Sequence, residues 1–246
     1  MRNHHIRRAA AILMSSLLLS TAPIFSSGAQ VTDKAVKAME KGDFKTALDE
    51  LRPLAAKGDP NAQFLLGMLY DAGNGVAQDQ SIAASWYRKA AEQNHLLAQV
   101  FLGALFYSGQ GVKQDYREAA HWFRAPADSG NDQAQFYLGS MYARGTGVKK
   151  DDSKAILWLT KAATQRNTRA MGMLATALFS RARDDQDLVD AYVWSHLAAE
   201  YDPVQAMTSA RGVIEQYCND EQKKKGKRAI AEWKRRWSNE AKEGRE

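Results

Sequence analysis

The side chains of this chain that could do chemistry are few and scattered. His95, His121 and His196 offer imidazoles, and Asp184, Asp185, Asp187 and Asp190 form a run of carboxylates. A zinc site needs histidines and cysteines at ligand spacing, and each histidine here stands alone. The three are therefore expected at the surface or between helices. The acidic run lacks the glycine and the closing glutamate of a calcium loop. Asp79, Asp115, Asp151 and Asp187 recur 36 residues apart, so they should lie a repeat apart rather than converge. Each stands where a helix should begin, and an aspartate there accepts the free backbone N–H groups of the first turn. Neither a H-E-x-x-H or G-x-S-x-G motif nor a phosphate- or dinucleotide-binding glycine loop occurs. The expectation is of a protein that is not an enzyme, with no catalytic residue, no metal and no cofactor.

The elements that must carry these residues are set by a repeat. Gly67, Gly103 and Gly139 open the same pattern, which continues through Gly73/Gly109/Gly145, Gly75/Gly111/Gly147, Val76/Val112/Val148 and Trp86/Trp122/Trp158. A period of this length marks a solenoid, whose units each leave an apolar face for a neighbour to cover. In the first unit Ala62, Leu66, Leu69 and Tyr70 share one helical face. Gly73-Asn74-Gly75 then breaks the helix. Ala83, Trp86, Tyr87, Ala90 and Ala91 give the buried face of a second helix, with the tryptophan expected to fill the gap between units.

The predicted fold is all-α, a right-handed α/α solenoid of about four helix-turn-helix repeats at 60–95, 96–131, 132–167 and 168–203. A helical cap over 31–59 precedes them, its turn at Gly42-Asp43, and a C-terminal cap over 204–246 follows. That last cap should hold a first-type helix from Val204 to Tyr217. A final helix is then capped by Asp220 and carries Ala229, Ile230, Trp233 and Trp237 on its inner face. Two departures stand out. Pro126 replaces the alanine of Ala90 and Ala162, and a proline there should kink or stop the helix, at about 3 kcal/mol. Arg181-Ala182-Arg183-Asp184 replaces the glycine turn in the fourth unit, predicting a longer first helix or a reshaped loop.

The first 29 residues read as a secretory leader: Arg2, Arg7 and Arg8, an apolar run from Ala9 to Leu19, and Ser27-Gly28-Ala29 before Gln30. The alternative is a retained anchor, since no charge occurs from Ala9 to Thr32; Ser15, Ser16, Ser20, Thr21 and Pro23 favour cleavage near Ala29, giving a periplasmic or secreted protein. Removal takes three arginines and lowers the formal charge from +6 to +3. The single cysteine, Cys218, then has no internal disulfide partner and reads as a small buried apolar residue. The remaining basic excess lies at the end, where Lys223, Lys224, Lys225, Lys227 and Arg228 are densest. With Trp233 and Trp237 on one face, this segment reads as a solubilising cap rather than a nucleic-acid site, with weak contact to acidic envelope surfaces as the secondary expectation.

The motif as it stands, Ala62-Gln63-Phe64-Leu65-Leu66-Gly67-Met68-Leu69-Tyr70, then Gly73-Asn74-Gly75-Val76, then Ala83-Ala84-Ser85-Trp86-Tyr87-Arg88-Lys89-Ala90-Ala91, resembles the Sel-1-like repeat proteins, bacterial relatives of tetratricopeptide arrays. The likeness covers about residues 35–210. It weakens in the fourth unit, which keeps Ala191-Tyr192-Val193-Trp194 and Ala198-Ala199 but not the turn. Relatives described as penicillin-binding or β-lactamase-like carry a cysteine pair in each repeat; this chain has neither those nor a S-x-x-K motif. The resemblance implies an interaction scaffold, and its exported members are similar to adaptors for envelope or secreted proteins. In such arrays the first helices line the concave side. The varied positions opposite the repeated ones are then the partner-binding candidates: Phe64, Met68 and Asp71; Val100, Ala104 and Tyr107; Phe136, Ser140 and Ala143; and Phe179 with Arg183. Polar substitution of Phe64 and Phe136 should then abolish binding of a protein partner without disturbing the fold. The alternative function is a non-catalytic subunit or hydrolase-like component acting on envelope polysaccharide or peptidoglycan.

Overall fold

Glycine-punctuated pairs of short amphipathic segments fold here as pairs of helices. The computed structural model describes residues 29–202 and 205–243, which hold twelve helices and no strand. Residues 1–28, nearly all of the segment that reads as a leader, lie outside the described residues, as do Pro203 and Val204. No helix among the described residues is long and apolar enough to cross a membrane. Consecutive helices pack on one another, an all-α arrangement of solenoid type, and the chain divides into two compact units after Trp122.

The first unit contains α1 (Ala29–Glu40), α2 (Phe44–Ala56), α3 (Pro60–Ala72), α4 (Gln80–Ala91), α5 (Leu96–Ser108) and the opening of α6 (Tyr116–Asp128). Its core runs through Ala35, Ala47, Leu51, Ala55, Ala62, Leu66 and Leu69. Alanine at these positions lets helices approach, and glycine goes further: a Cβ at Gly67 would sit 2.7 Å from the ring of Tyr87. The residue that fills the gap is therefore not the tryptophan expected from the repeat but its successor. Tyr87 is fully buried, while Trp86 is half-buried with the Lys89 ammonium 3.9 Å above its ring.

The first helices of these pairs end where the glycines require. Gly73 and Gly109 take the left-handed conformation at φ 71° and 74°, and their N–H groups close onto Leu69 and Leu105. Asp79 then accepts from the N–H groups of Ser81 and Ile82, and Asp115 from those of Arg117 and Glu118, as the capping expectation holds.

The second unit contains the end of α6, α7 (Asp132–Arg144), α8 (Asp152–Thr164), α9 (Thr168–Arg181), α10 (Asp185–Tyr201), α11 (Gln205–Tyr217) and α12 (Asp220–Glu243). Its core joins Leu159, Leu174, Tyr192, Trp194, Ile214 and Trp237. Leu159 packs on Gly139 as Tyr87 packs on Gly67, again with the neighbouring Trp158 half-buried and covered by Lys161.

Three expectations are corrected here, while the reshaped fourth turn holds as expected. Pro126 does not stop α6, which runs on to Asp128. Placed in the last turn, proline forgoes one donor but keeps its carbonyl, which accepts from Asn131 N–H as Ala90 and Ala162 do from His95 and Asn167. The fourth turn uses no left-handed residue at all: Ala182 lies at φ −34°, so the chain bends without needing glycine. There α10 is capped by Asp184 rather than Asp187. Asp187 instead sits in the first turn, 2.8 Å from the Arg181 guanidinium and accepting from Arg183 N–H, which holds its carboxyl below the usual range. Finally, α12 is capped not by Asp220 but by Asn219, in a reciprocal box with Gln222.

Candidate interaction surface

A helix bracketed by neighbours on both sides has little surface left. In α3 the buried residues are Ala62, Gln63, Phe64, Leu66, Gly67 and Leu69, which leaves a narrow strip. Phe64 is 7 % exposed, Val100 9 % and Phe136 5 %. These three belong to the packing rather than to an open groove, and so does Ser140. Phe64 is enclosed by rings: it stacks on His95 at 4.7 Å and meets Phe101 edge-on at 5.5 Å. In the second unit Phe136 lies under the Arg169 guanidinium at 4.5 Å. A polar residue at Phe64 or Phe136 would unfold the core before it tested any contact.

The other sequence-predicted positions remain accessible to differing degrees. Met68, Asp71, Ala104 and Tyr107 in the first unit are half-buried, as are Ala143 and Phe179 in the second; Arg183 is exposed. The Asp71 carboxylate accepts from Gln80 Nε2 at 3.2 Å, and burial raises its pKa. Beside it the buried Tyr87 phenol is pushed well above its ordinary value, by burial first and by the Asp71 charge second. Tyr107 meets Tyr116 edge-on, and Phe179 meets Tyr217.

The accessible strip lies one register position away from the one expected. Leu65 and Phe101 in the first unit, and Tyr137 and Met173 in the second, occupy the same place in successive repeats and are all half-buried. Each packs on the core of its own unit and leaves only part of its side chain accessible. Leu65 stands beside Met68 and Phe101 beside Ala104 in the first unit, and Tyr137 is stacked on Phe123 in the second. Sequence reasoning passed over them because they flank the glycine of the motif. The available signal was that this position holds a large apolar residue in all four copies without being fixed in type.

Beside these positions stands a second feature missed in the sequence, a buried glutamine in each of three repeats. Gln63, Gln99 and Gln135 donate through Nε2 to the carbonyls of Ala55, Ala91 and Ala127, at 3.2, 3.1 and 3.0 Å. Gln93 in turn donates to Gln63 Oε1, and Gln165 to Gln135 Oε1, both at 2.8 Å. Buried amides tied to helix ends fix how one pair follows the next, which an apolar contact alone would not.

The histidines are likewise structural. His95 caps α5, its Nδ1 accepting from Ala98 N–H at 3.1 Å. His196 stacks on Tyr192 at 3.9 Å and is hydrogen-bonded to its carbonyl. No cluster of metal-ligating side chains occurs among the described residues.

The Sel1 repeat family matches three successive segments, 60–95, 96–131 and 132–167. Similar solved structures repeat the fold. One is a protective antigen present in uropathogenic Escherichia coli strains displaying an SLR fold, 32 % identical over 83 % of this chain with a TM-score of 0.72. Another is a Sel1 repeat protein from Oxalobacter formigenes, 29 % identical with a TM-score of 0.62, covering 68 % of this chain and 69 % of that one. This chain is a Sel1-like repeat protein. It spans 45 % of the length of the Escherichia coli antigen. No curated protein matches it.

Sel1 repeat proteins generally mediate protein–protein interaction, and the scaffold is generally non-catalytic. The fourth helical pair, α9 and α10, lies beyond the three matched Sel1 repeats. That agrees with its rewritten turn, since Arg181 and Asp187 now bond where the glycine motif would stand.

Proposed function

We propose that this Sel1-like repeat protein is an exported scaffold that binds another envelope or secreted protein through the partly accessible apolar positions of its first helices. The observation that carries this reading is the recurrence of one half-buried apolar position, Leu65 and Phe101 in one unit and Tyr137 and Met173 in the other. Half-buried aromatic and methionine side chains held by a rigid scaffold are good anchors, because little side-chain entropy remains to be lost on binding. Export is supported by the basic, then apolar, then small-residue order of the first 29 residues. The protein then acts in the periplasm or outside the cell.

The test is affinity capture from envelope extract, with captured proteins identified by mass, using the wild type beside L65S/F101S and Y137S/M173S. Proteins retained by the wild type should be lost from both variants while helical content holds and stability falls by about 1 kcal/mol for each half-buried side chain removed. A third protein, F64S, should instead lose about 3 kcal/mol of stability, as a core substitution does. Identical capture by the wild type and the surface variants would overturn the assignment. The mass of the recovered chain also tests export, which requires it to begin near Gln30.

A further inference from the structure

The last helix is held by one face and carries its charge on the other. Gln222, Gly226, Ile230, Trp233 and Trp237 form the inward stripe of α12. Gln222 Nε2 reaches Asp185, Gly226 abuts the Tyr192 ring, Trp233 packs on Trp194 at 5.3 Å, and the Trp237 indole donates to Thr164 O. On the opposite side, at spacings of three and four, stand Lys224, Lys227, Arg228, Ala231 and Arg235, every one exposed.

The acids of α12 do not neutralise this ridge. Glu221 pairs with Lys225 at 3.0 Å and Glu240 faces Arg166 at 3.9 Å. Asp220, in the first turn at the positive end of the helix, lines the same surface as Lys224, Lys227 and Arg228 and offsets one of their charges at most. Glu232 lies on the flank that carries Lys225. Among the described residues no ion pair engages Lys224, Lys227, Arg228 or Arg235. At 1.5 Å per residue the ridge is about 16 Å long, twice the Debye length at physiological ionic strength. Four unpaired cations are thus held in line on a helix that cannot turn away.

The shape of the ridge selects its partner. A flexible polyanion is usually gripped in a groove with aromatic rings on which its units stack. Here the hollow along the ridge is shallow and open, lined by Asp220, Lys223, Lys224, Lys227, Arg228 and Ala231 with no aromatic ring, and both tryptophans belong to the core side. A protein partner would need a desolvated aromatic or aliphatic anchor, and the ridge offers only Ala231. A plane of phosphate headgroups needs neither groove nor anchor, only cations brought within a Debye length. We infer that α12 is a membrane-contact helix, whose ridge from Lys224 to Arg235 lies against an anionic phospholipid surface without inserting.

The experiment is sedimentation of the full chain with vesicles of phosphatidylcholine alone or with one third phosphatidylglycerol, at low and at high salt. The quantity read is the ratio of anionic to neutral binding. Wild type is compared with K224E/R228E/R235E and with a control of equal charge change, K41E/K57E/K113E, at exposed lysines elsewhere. Whatever the first 29 residues contribute is then common to all three proteins. The wild type should prefer anionic vesicles and lose that preference at high salt. At about fivefold per cation, the α12 variant should lose about a hundredfold or more in that ratio. The control should keep its preference, and circular dichroism should show all three equally helical. Equal loss in the control would assign the effect to net charge and overturn the inference. So would absence of anionic preference in the wild type, or wild-type binding to a soluble acidic polysaccharide in place of vesicles.

Discussion

At the head of α5, His95 does the work that Asp59, Asn131 and Asn167 do at the heads of α3, α7 and α9. An imidazole can accept the Ala98 N–H only while Nδ1 is unprotonated, and its stacking on Phe64 keeps it from water. Burial accordingly holds its pKa below the ordinary 6.5. A depressed histidine favours the folded state fully above the unfolded pKa, and that contribution is lost as pH falls towards the folded value. H95N would restore a cap indifferent to pH while losing the ring stack, so at pH 7.5 it should be less stable by about 1 kcal/mol. The gap should close by pH 5, which urea unfolding at the two pH values would measure. His196 is also depressed by burial, but it is common to both proteins and cancels. A gap independent of pH would remove the capping role. In the sequence His95 read only as a surface or interface histidine, because the cap position is defined by where the preceding helix ends. Phe64, Val100 and Phe136 were misplaced for a related reason: periodicity gives the helical face, but how much of the opposite side neighbours cover depends on packing.

At the scale of elements, each of the first four links between successive helical pairs uses a left-handed residue. Gly58 and Gly130 lie at φ 96°, Asn94 at 64° and Arg166 at 68°. Arginine is the costly choice, by about 1 kcal/mol over glycine. Its side chain offsets this. The guanidinium donates to the Trp237 carbonyl, lies 5.4 Å from the Trp237 ring and faces Glu240. The link thus ties the far end of α12 to α8 and α9. R166G should relieve the backbone and cut the tie, so global stability should change by less than about 1 kcal/mol. Amide exchange in residues 233–243 should meanwhile speed about tenfold. Unchanged exchange there would make the contact incidental. The helix pairs and their glycine turns were legible because glycine and aspartate have local reasons for their positions. The ends of α10 and α12 were not, because Asp184 against Asp187, and Asn219 against Asp220, compete for one role and only the folded chain decides between them.

For the molecule as a whole, a repeat array is limited by its ends, since the last unit has no successor to bury its apolar face. In the second unit α12 covers Tyr192, and Trp194, Ile214 and Cys218 are buried in the same core, with Trp237 itself only 3 % exposed. Burying Trp237 fully and Ile230 in part is worth about 4 kcal/mol together, a large share of the 5–15 kcal/mol that holds a typical domain. The sequence showed this end as a tryptophan stripe under a basic face, and that much the structure keeps. It could not show that the helix would run 24 residues and reach back to Thr164 and Arg166, since those contacts join residues 70 or more apart. A chain ending at Cys218 should therefore fail locally rather than everywhere. The first unit has a core cluster of its own, from Ala35 to Leu69. Its amides should stay protected, while those of α9 and α10 exchange freely and the uncovered aromatic face drives self-association on a sizing column. A truncated chain that remained monomeric, with α10 still protected, would mean that α12 is an appendage, and that the second unit is complete without the helix that closes it.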